Sequence, residues 1–194
     1  MIYRMTNLPM VLLLLLMTVA WNQSTAKTQV GLKTNLLTWA TTTPNIGLEA
    51  ATGKHTSLQL FGAVNPWDFS NGKRVKCWVA QPEFRYWHCQ AMNGHFFGVH
   101  LLGGEYNIRN VKLPFGTLPE QKQNRHYEGW FAGAGITYGY QWILSRHWNI
   151  EAEVGVGYAY SPYKLYGTCE RCLEKNHRNY VGPTKLGLNV IYIF

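Results

Sequence analysis

The sequence predicts an all-β protein, an eight-stranded antiparallel up-and-down β-barrel that spans a membrane. Two alternating runs, residues 130–144 and 148–160, flank one short polar turn, with aromatic and apolar residues on one face and glycine or polar residues on the other. Period-two alternation indicates strands, and both runs are about twice the roughly five to six residues typical of soluble strands. The alternative is a half-buried hairpin of a soluble sandwich or lipocalin-like barrel. Serial glycines and aromatics at both ends of an apolar band favour an outer-membrane barrel.

The N-terminal segment has the features of a secretory signal. An apolar block at residues 10–20 follows a basic residue and precedes a sequence of small residues, and it is too short for the ~20 residues of a spanning helix. We expect cleavage after Ala26, with Ala20 as the second choice. Residues 1–26 are then a signal peptide, and residues 27–194 form one outer-membrane barrel domain.

Alternation and turn residues divide the remaining chain into eight strands. The last strand ends on Phe194, which resembles the C-terminal recognition signal of outer-membrane barrels. Pro82 lies within the fourth strand, and because proline lacks the ladder donor we expect a local bulge there. The predicted strands cover residues 30–39, 46–52, 56–64, 77–87, 94–106, 130–144, 148–160 and 180–194.

The predicted connections alternate in length. Turns at Gly53, residues 90–94 and Ser145 are short, whereas the segments that begin at Asn65, Asn107 and Ser161 are longer. Outer-membrane barrels have this asymmetry, with short periplasmic turns and long outer loops.

Four acids and three bases occupy positions that alternation directs into the barrel. The interior of an eight-stranded barrel is just filled by side chains, and buried charges are normally paired. We therefore predict a network of ion pairs in the lumen, with a proton or ion path or a carboxylate acid/base pair as the alternative. The residues of this predicted network are Lys33, Glu49, Glu83, Arg85, Glu151, Glu153 and Lys185.

Histidines and cysteines give limited evidence of chemistry. His100 is the candidate base for an enzyme, but the sequence supplies no nucleophile in a matching context. Cys169 and Cys172 form a CxxC sequence in the last outer loop, for which we predict a disulfide, with a metal site that includes His177 as the alternative. Cys77 and Cys89 lie too far apart along one strand to bond to each other. We expect no cofactor.

The three long loops are basic. Residues 65–76 contain three cations and one acid, and residues 107–128 and 161–179 each contain four cations and two acids. These charges could simply match lipopolysaccharide phosphates around the rim. The sharper hypothesis is a docking surface for an anionic surface glycan or a fimbrial subunit, because aromatic residues with arginine form binding hot spots. The candidate residues are Trp67, Phe69, Arg125, Tyr166, Arg171 and Arg178.

Five short motifs resemble an uncharacterised family of small secreted outer-membrane barrels, similar to the OmpA/OmpX type of Gram-negative bacteria. That family carries only a domain-of-unknown-function label and has a loose association with genes for surface fimbriae. The resemblance implies fold and location and supplies no catalytic residues. The motifs are KTNLL from Lys33, TPNIGLE from Thr43, QPEFRYW from Gln81, GHFFG from Gly94 and GPTK from Gly182.

Together these observations lead us to expect a monomeric outer-membrane protein whose outer loops serve surface binding or envelope assembly. Its partners would be outer-membrane lipids, including lipopolysaccharide, and a surface glycan or fimbrial protein, with no nucleic acid. A lipid-modifying membrane enzyme and a purely structural envelope protein are the alternatives.

Overall fold

The computed structural model describes residues 29–69, 73–109, 126–166 and 172–194, apart from the side chains of residues 68, 69, 73, 74, 126 and 172–174. These residues form one antiparallel sheet and one short helix. The strands are β1 (Val30–Asn35), β2 (Asn45–Ala51), β3 (Thr56–Asn65), β4 (Asp68–Phe69), β5 (Lys73–Trp87), β6 (Gly94–Arg109), β7 (His126–Ile143), β8 (Trp148–Tyr166) and β9 (Cys172–Ile193), and the helix is α1 (Leu36–Ala40).

The sheet closes on itself. Each long strand pairs with its neighbour in the chain, β3 pairs with β5, and β1 pairs with β9, so eight strands form a ring. The two-residue strand β4 only extends β5. The predicted all-β fold, with eight antiparallel strands and up-and-down connections, is therefore confirmed. None of the described residues belongs to a helix long and apolar enough to cross a membrane.

The two ends of the ring differ. Residues 52–55, 88–93 and 144–147 make short connections at one end, called here the short-turn end. The connections at the other end, called here the outer end, are α1 with the residues that follow it, the interval 66–72, the interval 110–125 and the interval 167–171. The predicted asymmetry holds for the long interval between β6 and β7, whereas the five residues between β8 and β9 are no longer than the turn at residues 88–93.

Residues on the two faces of the strands have opposite character. Large apolar side chains such as Ile136 and Val99 are exposed on the outside, whereas charged and polar side chains such as Arg85 and Glu151 are fully buried inside. The period-two alternation of each strand produces this division. The protein therefore has a polar core surrounded by an apolar exterior.

A small apolar cluster closes the interior at the short-turn end. The turn between β5 and β6 brings Ala91 and Met92 against the buried rings of Trp87 and Phe96. Met92 adopts a positive φ of 63° in this turn. The Arg85 guanidinium lies 4.2 Å from the centre of the Phe96 ring. The charged interior is thereby separated from the short-turn end by packed side chains.

The first strand is shorter than predicted. The sequence indicated a strand over residues 30–39, but β1 ends at Asn35 and α1 follows it. The Asn35 side chain accepts a hydrogen bond from the Leu37 backbone N–H at 3.0 Å, as an N-cap residue does. Thr38 Oγ1 also donates to the Asn35 carbonyl at 2.9 Å. Local capping overrides the alternation that continued through Leu36.

The strands next to the long connections extend farther than predicted. Arg109 in β6 pairs with His126 in β7, and Tyr166 in β8 pairs with Cys172 in β9. Much of what the sequence indicated as loop at residues 161–179 is thus a continuing β-ribbon. These strands continue through polar residues because this part of the ribbon lies beyond the apolar part of the wall. Both of its faces can meet water there.

The bulge expected at Pro82 is absent. Pro82 pairs with Leu60 in unbroken register. The β5–β6 ladder lacks pairs at residues 81 and 82, but its register is the same on both sides of them. The β8–β9 ladder instead has two register shifts, one between the pairs Gly155–Lys185 and Val156–Pro183 and one between the pairs Leu165–Glu174 and Tyr166–Cys172. At the first shift the extra residue, Thr184, faces inward together with its neighbour Lys185, and its hydroxyl meets His100.

Candidate functional site

The structure brings all seven predicted interior charges together. They come from β1, β2, β5, β8 and β9, and every one of them is buried. Because the sheet closes into a ring, inward positions on strands far apart in sequence meet at its centre. The residues are Lys33, Glu49, Glu83, Arg85, Glu151, Glu153 and Lys185.

Arg85 is the centre of this network. Its Nη1 donates to Glu151 Oε2 at 2.7 Å and lies 3.0 Å from Glu49 Oε2. Its Nη2 donates to Glu153 Oε2 at 2.7 Å, and its Nε lies 3.4 Å from Glu83 Oε1. One guanidinium thus contacts all four carboxylates, using the several donors that its planar fork provides.

The two lysines contact the same acids from either side. Lys33 Nζ lies 2.7 Å from Glu49 Oε2 and 3.1 Å from Glu151 Oε1. Lys185 Nζ contacts Glu83 and lies 3.1 Å from Glu153 Oε2. Every carboxylate of the network therefore contacts at least one cation, as buried ions require. The geometry is that of a closed ionic core.

Neutral side chains complete the network, and the sequence analysis did not single them out. Asn189 Nδ2 donates to Glu151 Oε1 and Glu153 Oε1, each at 2.8 Å. Ser57 Oγ donates to Glu49 Oε1 at 2.5 Å, and Gln59 Oε1 accepts from Lys33 Nζ at 2.6 Å. The alternation places these residues inward, and this could have predicted their role, since a polar residue beside buried charges is expected to bond to them.

His100 lies beside this core. Its side chain is fully buried. Nδ1 lies 2.8 Å from Thr137 Oγ1, and Nε2 lies 2.9 Å from Thr184 Oγ1. Both ring nitrogens thus meet threonine hydroxyls and neither meets a carboxylate, which differs from the Ser–His–acid arrangement considered for an enzyme.

A cleft of about 710 Å³ opens at the outer end of the barrel. On its inner wall Tyr106 and Ser161 share a hydrogen bond of 2.8 Å between their hydroxyl oxygens. Tyr163 and the partly buried Cys77 line the same wall. Five exposed charged residues also line it, three lysines and two glutamates: Lys76, Lys164, Lys175, Glu105 and Glu128. The cleft combines aromatic surface, hydroxyl groups and a small excess of positive charge.

Part of the predicted outer surface can be located. Trp67 is half-exposed and donates from Nε1 to the Thr42 carbonyl at 2.8 Å. Tyr166 ends β8, and Arg178 pairs with Ser161 across the β8–β9 ribbon. Arg125 and Arg171 lie outside the described residues, and the side chain of Phe69 is also not described. The located candidates lie at the outer end, but Trp67 is in the connection between β3 and β4 whereas Tyr166 and Arg178 belong to the β8–β9 ribbon.

The cysteines fall into two groups. Cys77 and Cys89 are free, and Cys89 is exposed near the short-turn end. Cys169 lies outside the described residues, as does the side chain of Cys172, so their disulfide stays a prediction. His177 lies against the Tyr160 ring at 5.7 Å between centroids. The described residues contain no cluster of histidine, cysteine or acid suited to a metal ion.

Three histidines near the short-turn end contact aromatic rings. His55 stacks on Tyr86 with centroids 6.2 Å apart. His147 stacks on Tyr192 at 5.7 Å and contacts the Ile193 carbonyl through Nδ1 at 3.0 Å. His95, next to the same end, stacks on Tyr138. These contacts fit amphipathic rings at the edge of an apolar surface.

The comparisons with known proteins give a family and no activity. No curated protein is similar enough to this chain to count as a match. The family model described as "Protein of unknown function (DUF3575)" matches residues 10–194. A match over that much of the sequence means that the chain belongs to the DUF3575 family.

Proposed function

We propose that this chain is an outer-membrane β-barrel protein, exported by a cleaved signal peptide, that binds an anionic ligand at the cell surface through its outer end. The main support for this location is that apolar side chains lie outside and charged side chains inside, the reverse of a soluble protein. Ile136, Leu186 and Ile46 are each more than half exposed on different strands, while the charged residues are inside. A soluble protein rarely exposes so large a contiguous apolar surface.

The height of the apolar surface supports this location. Trp130 and Trp142 are half-exposed near the two ends of β7. About twelve residues separate them, and at ~3.4 Å per residue along a strand tilted by about 40° this distance rises roughly 30 Å. That height agrees with an apolar band flanked by aromatic girdles.

The cleft at the outer end supports the binding role. Lys164 and Lys175 belong to the β8–β9 ribbon at its edge, and Tyr106 and Tyr163 present aromatic surface inside it. Concave sites with aromatic walls and a few placed polar groups are typical ligand sites. Positive charge at the rim favours a polyanion, such as an acidic surface polysaccharide or an acidic protein.

Binding of a defined polyanion tests this role. Purified protein in detergent is titrated with dextran sulfate, with neutral dextran as the uncharged probe. The double variant Lys164→Glu, Lys175→Glu should bind about tenfold more weakly, and the loss should shrink at high salt. The matched control reverses Lys54 and Arg146 at the short-turn end, which should change binding little. Equal losses in both variants would mean that only net charge matters.

A further inference from the structure

The wall of the barrel is incomplete beside β9. β1 pairs with β9 over five positions only, from Gly31–Ile193 to Asn35–Asn189. β9 continues to Cys172 and pairs with β8 throughout, but no described strand pairs with its other edge beyond Asn189. A gap therefore lies between the free edge of β9 and the short first hairpin.

This gap lies at the level of the exposed apolar surface. In the β8–β9 register, Leu188 is opposite Ala152 and Val181 is opposite Tyr158. Both positions fall between the exposed aromatic residues Trp148 and Tyr160 that bound the outward face of β8. If the barrel lies in a membrane as proposed above, the gap faces hydrocarbon rather than water.

Three backbone groups along the free edge are satisfied by side chains rather than by a partner strand. The Asn35 side chain donates to the Leu186 carbonyl at 3.0 Å and accepts from the Leu188 N–H at 3.3 Å. Pro183 has no N–H, and its carbonyl accepts from the Tyr180 hydroxyl at 3.0 Å. An unsatisfied backbone group in hydrocarbon costs several kcal/mol. These side chains lower the cost of leaving this part of the edge unpaired in lipid.

The only described element that covers the gap is α1. No residue of this helix is buried, and Leu36, Leu37 and Trp39 are exposed. It is attached by the Asn35 cap, by a hydrogen bond of 2.7 Å from Trp39 Nε1 to Thr34 Oγ1 and by hydrogen bonds of Thr38 Oγ1 with the Asn35 carbonyl and Asn45 Nδ2. A helix of this kind presents an apolar surface to lipid without sealing the wall as a paired strand would.

Beside the gap, the residues of β9 that face the interior continue toward the outer end of the barrel. A Cβ on Gly182 would lie 2.7 Å from the Tyr180 hydroxyl, so the tyrosine ring covers this glycine. Arg178 lies two positions before Tyr180 in β9, on the same face of the strand, and it is partly buried. Apolar surface at the gap and a cation above it match an amphiphile with an anionic head.

We propose that the gap between β9 and α1 is a lateral binding site for a membrane lipid, with one acyl chain inserted beside Tyr180 and an anionic headgroup at Arg178. The site rests on the proposed membrane location, since only hydrocarbon supplies the chain from this side. The lipid enters sideways through the wall, whereas the polyanion of the proposed function reaches the outer cleft from water.

Photocrosslinking in native membranes tests this site. p-Benzoylphenylalanine replaces one of three tyrosines: Tyr158, exposed outward; Tyr180, at the gap; or Tyr106, buried on the inner wall of the cleft. After irradiation, mass spectrometry should find lipid adducts at Tyr158 and Tyr180 and none at Tyr106. Adducts at Tyr158 without any at Tyr180 would overturn the lateral site. The absence of an adduct at Tyr158 would instead overturn the proposed membrane location.

A second variant tests the headgroup contact. With the photocrosslinker at Tyr180, Arg178→Gln should lower the yield of anionic lipid adducts several-fold, whereas Arg178→Lys should retain most of it. Lys54→Gln at the short-turn end is the matched control and should leave the yield unchanged. Equal yields from the Arg178→Gln and Lys54→Gln proteins would overturn the assignment of Arg178 to the headgroup.

Discussion

Arg85 Nη1 donates a hydrogen bond to Glu151 Oε2 at 2.7 Å, and both side chains are fully buried inside the ring of strands. Transferring two charges out of water costs several kcal/mol per ion, which a single contact rarely offsets. Here each partner has further contacts, since Lys33 and Asn189 also bond to Glu151. Three cations face four carboxylates, so the network already has more acids than bases.

Removing Arg85 should therefore be more harmful than removing one acid. Arg85→Gln leaves four carboxylates against two lysines, and we expect it to lower the free energy of unfolding by about 3–5 kcal/mol. Glu151→Gln balances the charges and keeps an acceptor oxygen, so its cost should be about 1–3 kcal/mol. Urea titration of each protein in detergent micelles measures both values.

The exposed Glu128 supplies the control for this comparison, because Glu128→Gln should change the unfolding free energy by less than about 0.5 kcal/mol. If Arg85→Gln were no worse than Glu128→Gln, the interior ion pairs would contribute nothing to stability.

The interior network could be predicted because one simple rule determines it. Period-two alternation fixes which residues face inward, and ring closure makes inward residues of distant strands meet, as Lys33 and Glu151 do at 3.1 Å. No knowledge of the strand register was needed. The neutral partners Ser57 and Asn189 were not predicted, because burying an uncharged polar residue does not require a partner of opposite charge.

The gap beside β9 could not be predicted in the same way. Alternation continued through Leu36, so only the capping contact of Asn35 distinguishes a helix from a longer strand there. Pro82 and Pro183 both lie within predicted strands, and the sequence does not distinguish their surroundings. Pro82 pairs within a full wall, whereas Pro183 lies on a free edge beside a bulge. Whether an edge is free depends on the lengths of neighbouring strands, which are a property of the whole ring.

An arginine on the apolar exterior should destabilise the barrel according to its depth. Val154 is half-exposed and pairs between Tyr138 and Leu186, so Val154→Arg should cost about 2–4 kcal/mol if this position faces lipid. Val181→Arg, closer to the aromatic limit, should cost about 0–1 kcal/mol. Urea titration in lipid vesicles measures the difference. A Val154→Arg barrel as stable as the parent would mean that this face does not meet hydrocarbon.

The folded barrel should also resist SDS without boiling, because pairing between neighbouring strands around the ring satisfies most of its backbone groups. The expected observation is a different electrophoretic migration before and after boiling. Protein that is extracted by carbonate and shows no such shift would contradict the outer-membrane location.

Close packing of β7 against β8 makes Gly135 sensitive to substitution. An added Cβ would lie 2.5 Å from the Val156 carbonyl oxygen and 2.7 Å from His100 Nε2. We expect Gly135→Ala to cost about 1–3 kcal/mol through overpacking. Gly62→Ala is the matched control, since its nearest neighbour would be the Val79 carbonyl oxygen at 3.9 Å. Equal stability of the two variants would show that the wall relaxes around the added methyl group.

Cys169 and Cys172 should form a disulfide in the exported protein, because an oxidising location and a short separation favour pairing. Purified protein is treated with a maleimide before and after reduction, and peptides are identified by mass spectrometry. Both cysteines should be labelled only after reduction. The exposed free thiol of Cys89 is the internal control and should be labelled at once. Stoichiometric zinc with unlabelled thiols after mild reduction would favour the metal site instead.

The outer surface should bind its partner through both charge and aromatic contact. Neutralising Arg125, Arg171 and Arg178 together should weaken the capture of crosslinked surface partners from intact cells, and added salt should reduce the difference. SDS resistance should stay intact, because this variant leaves the seven charged residues of the interior network unchanged. Quantitative mass spectrometry of the captured material measures the loss.

The aromatic contribution separates a docking surface from a charged rim that only matches lipopolysaccharide phosphates. Trp67 is half-exposed at the outer end, and Tyr166 ends β8, so replacing both with alanine should reduce capture about tenfold if they contact the partner. Trp142→Ala, a half-exposed tryptophan near the short-turn end, is the matched control and should leave capture unchanged. If the Trp67→Ala, Tyr166→Ala protein captures as much partner as the control, charge alone attracts the partner and the docking hypothesis is wrong.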